Sequence, residues 1–102
     1  MASLFSSLFG KATDFKSIYD KGAIILDVRT PQEFSTGHIK GAVNIPVDQL
    51  ASRLTELQQK GKPVITCCRS GARSAMAKAS LAAAGIEVYN GGAWTSLQNN
   101  IQ

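Results

Sequence analysis

The sequence predicts an α/β domain built on a four- to five-stranded, mainly parallel sheet with helices on both faces. Three observations carry this. Short apolar runs with β-branched content recur at 23–28, 42–45, 63–68 and 86–89. Stretches of helical spacing stand between them, and the connections are short, with Gly or Pro at the breaks. Strands that alternate with helices pair in parallel. Continuous apolar runs belong to strands covered on both sides.

Thr13 or Asp14 can cap a first helix that runs to about Lys21 and stops at Gly22. The run from Ala23 to Val28 reads as a buried strand. Thr30-Pro31-Gln32-Glu33 is a capping box with proline at the first helical position, so a short helix follows and ends near Gly37. Residues 42–45 form a second short strand closed by Pro46. Asp48 is then expected to cap a longer helix with Leu50, Leu54 and Leu57 on one face. Gly61, Lys62 and Pro63 break it, and 63–68 is the third strand. Residues 74–84 are strong helix formers ended by Gly85. A fourth strand spans 86–89, Gly91-Gly92 reads as a turn, and a last helix or frayed tail runs from Trp94 to about Asn100.

The 102 residues suit one domain over 11–102, preceded by an amphipathic segment over 1–10. Leu4, Phe5, Leu8 and Phe9 give that segment one apolar face, expected to cap the domain's own core rather than a membrane or partner. It lacks the basic lead and cleavage site of a secretory signal. No apolar run is long enough to span a membrane. With 44% hydrophobic and 18% charged residues, an ordinary core is available and disorder is excluded. The two cysteines are neighbours and offer no disulfide framework, which points to a reducing, cytoplasmic setting.

The net charge of +4 is unevenly placed. Lys60, Lys62, Arg69, Arg73 and Lys78 fall between Glu56 and Glu87 with no acid among them, so the excess positive charge is expected around Cys68. Such focusing suits a small anion. Nucleic-acid binding is disfavoured, because Tyr19, Tyr89 and Trp94 are not interleaved with these cations.

Cys68 closes the third strand and opens Cys68-Arg69-Ser70-Gly71-Ala72-Arg73-Ser74, which leads into the alanine-rich helix. In parallel sheets, ligands bind at the carboxyl ends of strands. A thiol at this turn meets backbone N–H groups, the positive end of a helix and two arginines, all of which favour the thiolate. Gly71 permits a left-handed turn, and Ser70 and Ser74 can donate further hydrogen bonds. Short loops suggest an open, shallow site.

The chain resembles a single-domain rhodanese. The resemblance rests on Leu26-Asp27-Val28-Arg29, Glu33-Phe34, residues 37–42, Asn44-Ile45-Pro46, the Cys68 loop, Gly85, and Gly91-Gly92 with Trp94, in that order. It implies a rhodanese-like fold and a sulfurtransferase. Cys68 would take a sulfane sulfur from thiosulfate, a persulfide or a polysulfide and pass it, as a Cys68 persulfide, to cyanide or a thiol. Arg69, Ser70, Gly71, Ala72 and Arg73 would bind the substrate. Their backbone N–H groups would hold the added sulfur, and the two arginines would attract the anionic donor or turn into a structural ion pair. No metal or organic cofactor is implied. The implied partners are a small anionic donor and a thiol or protein acceptor, with the chain acting as a monomer.

Two other functions fit parts of the pattern. A cysteine phosphatase of the same fold, using Cys67 or Cys68, is one: counted from Cys67, five residues precede Arg73-Ser74, the signature of those enzymes, though Thr66 stands where they usually carry histidine. A non-catalytic binding module of the same fold is the other alternative. Cys67 reads as a small buried residue facing away from Cys68, or as a resolving thiol. Arg29 is expected to pair with Glu33, His38 to brace a turn, and Trp94 to pack in the core.

Overall fold

A computed structural model describes residues 13–102; the expected amphipathic segment over 1–10 lies outside the described residues. Asp14 caps α1 (Phe15–Asp20), its Oδ1 accepting the Ser17 N–H at 3.1 Å. The apolar run that follows becomes β1 (Ile24–Asp27). The capping box at Thr30 and Glu33 forms as expected and opens α2 (Pro31–Ser35). Next come β2 (Val43–Asn44), a 3-10 segment (Val47–Arg53), α3 (Leu54–Lys60) and β3 (Val64–Cys68). The chain closes with α4 (Ala72–Ala83), β4 (Val88–Ala93) and α5 (Trp94–Ile101).

The four strands form one parallel sheet in the order β2-β1-β3-β4. The chain leaves β1 toward β2 on one side and later returns to β3 on the other. The β1/β3 border is therefore the switch point of the sheet, where a crevice opens at the carboxyl ends. Cys67 stands opposite Asp27 at that border.

Side-chain alternation along the strands divides the core in two. Leu26, Val28, Val64 and Cys68 face Leu50, Leu57, Ala77 and Leu81 from the 3-10 segment, α3 and α4. Ala23, Ile25, Ile65 and Cys67 face Leu97 and Ile101 of α5, with Phe15, Ile18 and Tyr19 of α1 packed outside them. The sheet thus has helices on both faces. Leu26, Ile65, Leu81 and Leu97 are fully buried, each stabilising the fold by about 2–3 kcal/mol.

Two sequence expectations are corrected. Asp48 does not cap a helix: Pro46 holds the cap position with no side-chain bond, and Gln49 N–H donates to the Pro46 carbonyl, so the segment starts as a tight 3-10 turn. Gly91-Gly92 is not a turn but part of β4. Between the pairs Thr66–Asn90 and Cys68–Ala93, β4 carries one residue more than β3, a bulge. Gly92 takes up the extra residue at φ +75°. Gly91 is needed for another reason: a Cβ there would lie 2.8 Å from both the Thr66 carbonyl oxygen and Leu97 Cδ2.

Backbone cannot yield as a flexible side chain can, so Gly91→Ala is expected to lower stability by about 1–3 kcal/mol. Urea denaturation checks this; a wild-type midpoint would show that β4 is free to shift.

Candidate active site

Cys68 is 1% exposed, so its sulfur lies beneath the loop rather than in the open, shallow site expected from short loops. Cys68 belongs to the apolar cluster that includes Leu26, Val28 and Ala77. Its sulfur meets donors from the loop. Gly71 N–H donates to Sγ at 2.9 Å and Ser74 N–H at 3.4 Å, and Ser74 Oγ lies 3.5 Å away. Gly71 caps α4 at φ +109°, a left-handed conformation that turns its N–H back toward the sulfur.

Burial pushes the Cys68 thiol up, but the Ser74 hydroxyl and the backbone N–H groups of Ser74, Gly71 and Ser70 outweigh it and hold the thiol below its usual range. Cys67 has the opposite fate. It is 0% exposed on the other side of the sheet, and burial, with the nearby Asp27 charge, pushes its thiol up to about 12.

The cations are distributed differently from expectation. Lys60 ends α3 and Lys62 precedes β3, at the strand end opposite Cys68. Arg69 remains exposed on the loop beside Ser70 and Ala72. Arg73 makes a bidentate pair with Glu33, at 2.7 and 2.9 Å, across 40 positions of sequence. The Arg73 fork and the Thr30 cap together hold the Glu33 carboxyl down at about 2. An acid therefore sits against the loop, although the local sequence has none.

Glu33 is consequently not the partner of Arg29, as the sequence suggested. The Arg29 guanidinium binds Asp27, with Nη2 at 2.7 Å and Nε at 2.9 Å, and both residues are buried. Its remaining donors reach the carbonyls of Glu33 and Gly37. The guanidinium also lies 4.8 Å from the Trp94 ring centroid, a cation–π contact. Trp94 is half-buried against the α5 side of the core. His38 stacks on Phe34 and donates from Nδ1 to the Phe34 carbonyl at 2.8 Å, bracing the turn.

Two contributors escaped sequence reasoning. Glu33 was assigned to a local pair, and nothing in its spacing shows a partner so far along the chain. Asn90 accepts the Ser74 hydroxyl at 2.6 Å and the Gly92 N–H at 2.9 Å. An Asn beside Gly-Gly reads as turn chemistry, and that hid it. Among the described residues, no three His, Cys, Asp or Glu side chains gather as a metal site. Among them too, no helix is long and apolar enough to cross a membrane.

Comparison with known proteins gives a consistent picture. A family model described as Rhodanese-like domain matches residues 11–96. A Bacillus subtilis protein, the uncharacterized protein YqhL, is 44% identical over 78 residues, 76% of this chain and 60% of its own length. Thiosulfate sulfurtransferase PspE of Escherichia coli is 35% identical over 69 residues, 66% of each chain. The chain thus spans under two thirds of the YqhL length. Among solved structures, a rhodanese with anions from E. coli aligns at TM-score 0.67 and 31% identity, covering 74% of this chain and 91% of that one.

Two measurements check the geometry. Thiol titration by ultraviolet absorbance is expected to give Cys68 a midpoint below the free-thiol value of about 8.5, with Cys67 silent until near pH 12. Removing the Cys68 step by Cys68→Ser identifies it; a Cys68 midpoint above that of a free thiol would contradict the donor arrangement. Arg29→Met leaves buried Asp27 without its counter-charge and is expected to cost about 3–5 kcal/mol, read from denaturant midpoints. A loss under about 1 kcal/mol would mean water reaches the pair.

Proposed function

The chain belongs to the rhodanese-like domain family, and from that premise we propose that it is a sulfurtransferase that carries a sulfane sulfur on Cys68. The observation that carries the reading is the convergence of N–H groups and a hydroxyl on the sulfur of Cys68, while Cys67 turns away. A thiolate held by amide hydrogens is a ready nucleophile, and the same hydrogens can hold the negative terminal sulfur of a persulfide.

The cycle has two displacements. The Cys68 thiolate attacks the outer sulfur of a donor such as thiosulfate. A new S–S bond forms, the donor's own S–S bond breaks, and sulfite leaves with that bonding pair. Cys68 now ends in a persulfide anion. A thiolate or cyanide attacks the terminal sulfur, takes it, and returns the bonding pair to Cys68. Charge balances in each step and no external oxidant or reductant is required. Persulfide and polysulfide donors enter by the same chemistry, with a thiolate or shorter polysulfide leaving.

Arg69 is the loop cation left to attract an anionic donor, since Arg73 is neutralised by Glu33. Ser70, Gly71, Ala72 and Arg73 serve through their backbone N–H groups. The phosphatase alternative loses support on two counts. Cys67 as its nucleophile would face the other side of the sheet, and with either cysteine the Arg73 fork that would cradle a phosphate is filled by Glu33. Two free cysteines support a reducing, cytoplasmic setting, with the chain acting as a monomer on a thiol or protein acceptor.

Incubation with thiosulfate or glutathione persulfide, followed by intact-mass measurement, is expected to show the gain of one sulfur atom. Cys68→Ser should abolish the gain, and Cys67→Ala should keep most of the turnover. No gain with any sulfane donor would favour the binding module, and equal loss in both variants would restore a role for Cys67.

A further inference from the structure

Ser74 is fully buried, and its hydroxyl has three acceptors around it. The Gly71 carbonyl lies at 3.0 Å, Asn90 Oδ1 at 2.6 Å and the Cys68 sulfur at 3.5 Å. A hydroxyl owns one proton, so these acceptors compete.

Asn90 decides the competition. The Gly92 N–H donates to Asn90 Oδ1 at 2.9 Å, and a backbone N–H can only donate. The amide oxygen, not the amide nitrogen, therefore faces both Gly92 and Ser74. An oxygen with no hydrogen draws the Ser74 O–H toward itself. The β4 bulge fixes this arrangement, because Asn90 is in register with Thr66 immediately before the extra residue. With its proton on the Asn90 side, Ser74 Oγ presents a lone pair to the sulfur. That lone pair accepts from a Cys68 thiol but repels a Cys68 thiolate. When the thiol gives its proton to water, the hydroxyl must turn from Asn90 to the sulfur, and no heavy-atom bond changes.

We propose that Asn90 is a positioning residue for Cys68: its side-chain oxygen competes with the sulfur for the single hydroxyl proton of Ser74, and so sets how readily Cys68 becomes a nucleophile. The proposal rests on Cys68 being the nucleophile of the reading above. It adds a residue from the last strand, which acts on the sulfur through Ser74.

The other charged and titratable groups around Cys68 are exposed Arg69 from the loop itself, Arg73 from α4, Glu33 from α2, the Asp27–Arg29 pair at the end of β1, and Cys67 from β3. On β4, the Tyr89 hydroxyl is bound to Glu87. None of these contacts includes the Asn90 side chain, so a substitution there leaves them in place.

The test is the pH midpoint of the Cys68 thiolate absorbance, corrected with Cys68→Ser, in Asn90→Leu and Asn90→Asp. Each is made alone and on a Ser74→Ala background. Asn90→Leu removes the nearer of the two oxygen acceptors, leaving the Gly71 carbonyl at 3.0 Å, and is expected to lower the midpoint by about one pH unit. Asn90→Asp keeps the geometry, strengthens the acceptor and is expected to raise the midpoint by at least about one unit. The Leu shift should vanish without the Ser74 hydroxyl and the Asp shift should shrink, the signature of coupling between the two sites. Unchanged midpoints overturn the proposal, as do equal shifts with and without Ser74. If Asn90→Leu fails to fold, the Asp pair decides alone. The readout needs no sulfur transfer: midpoint shifts without persulfide formation would sink the functional reading while leaving the Asn90–Ser74–Cys68 coupling in place.

Discussion

One buried cation, Arg29, organises the carboxyl edge of the sheet. A guanidinium removed from water must have its charge and its N–H groups answered. Here Asp27 answers the charge, while the carbonyls of Glu33 and Gly37 take further donors. Asn44 ties the Asp27 and Arg29 carbonyls to β2, and the Trp94 ring closes the remaining face. The guanidinium thus holds β1, α2 with the turn after it, and α5 together, while the Arg29 backbone ties in β2. Because α2 is pinned through its backbone, the Glu33 carboxylate is free to point outward to Arg73, and that pair anchors the first turn of α4. The position of the Cys68 loop is thus set from β1, far away in sequence.

The sulfur itself is held by a different kind of electrostatics. The loop's arginines suggest a thiolate stabilised by nearby cations. The structure spends Arg73 on a carboxylate and leaves the sulfur to backbone N–H groups and Ser74. Amide dipoles fixed by a helix start need no counter-ion and keep their orientation when charge develops. They also favour a compact anionic sulfur over a bulky oxyanion that needs a guanidinium fork. The vicinal cysteines gain opposite characters from the same strand, since a single residue step crosses the sheet from one core to the other.

How far the site was legible follows from this. Strand runs, the capping box at Thr30, the Cys68 loop and the division of roles between Cys67 and Cys68 depend on local periodicity and turn chemistry, which the sequence states directly. The helix expected from Asp48 failed because Pro46 starts the segment as a tight turn. The turn expected at Gly91-Gly92 failed because glycine serves close approach as well as chain reversal. Here Gly91 is pressed against the Thr66 carbonyl and Leu97. The Arg29–Glu33 pair failed because Asp27, two residues back, takes the guanidinium and Arg73 of α4 takes the Glu33 carboxylate, and helical spacing shows neither.

The amino-acid order alone therefore determined the class of fold, the parallel alternation, and which of the two cysteines stands at the carboxyl end of β3 facing the loop. Each depends on residues within a few positions of one another. Tertiary structure alone decided which acid meets Arg73, that the arginine fork is taken by Glu33, that the Cys68 sulfur lies under its loop, and that Asn90 accepts the Ser74 hydroxyl. The Arg73 and Asn90 contacts join residues 40 and 16 positions apart, and only the register of the sheet and the packing of helices against it bring such residues within hydrogen-bond reach.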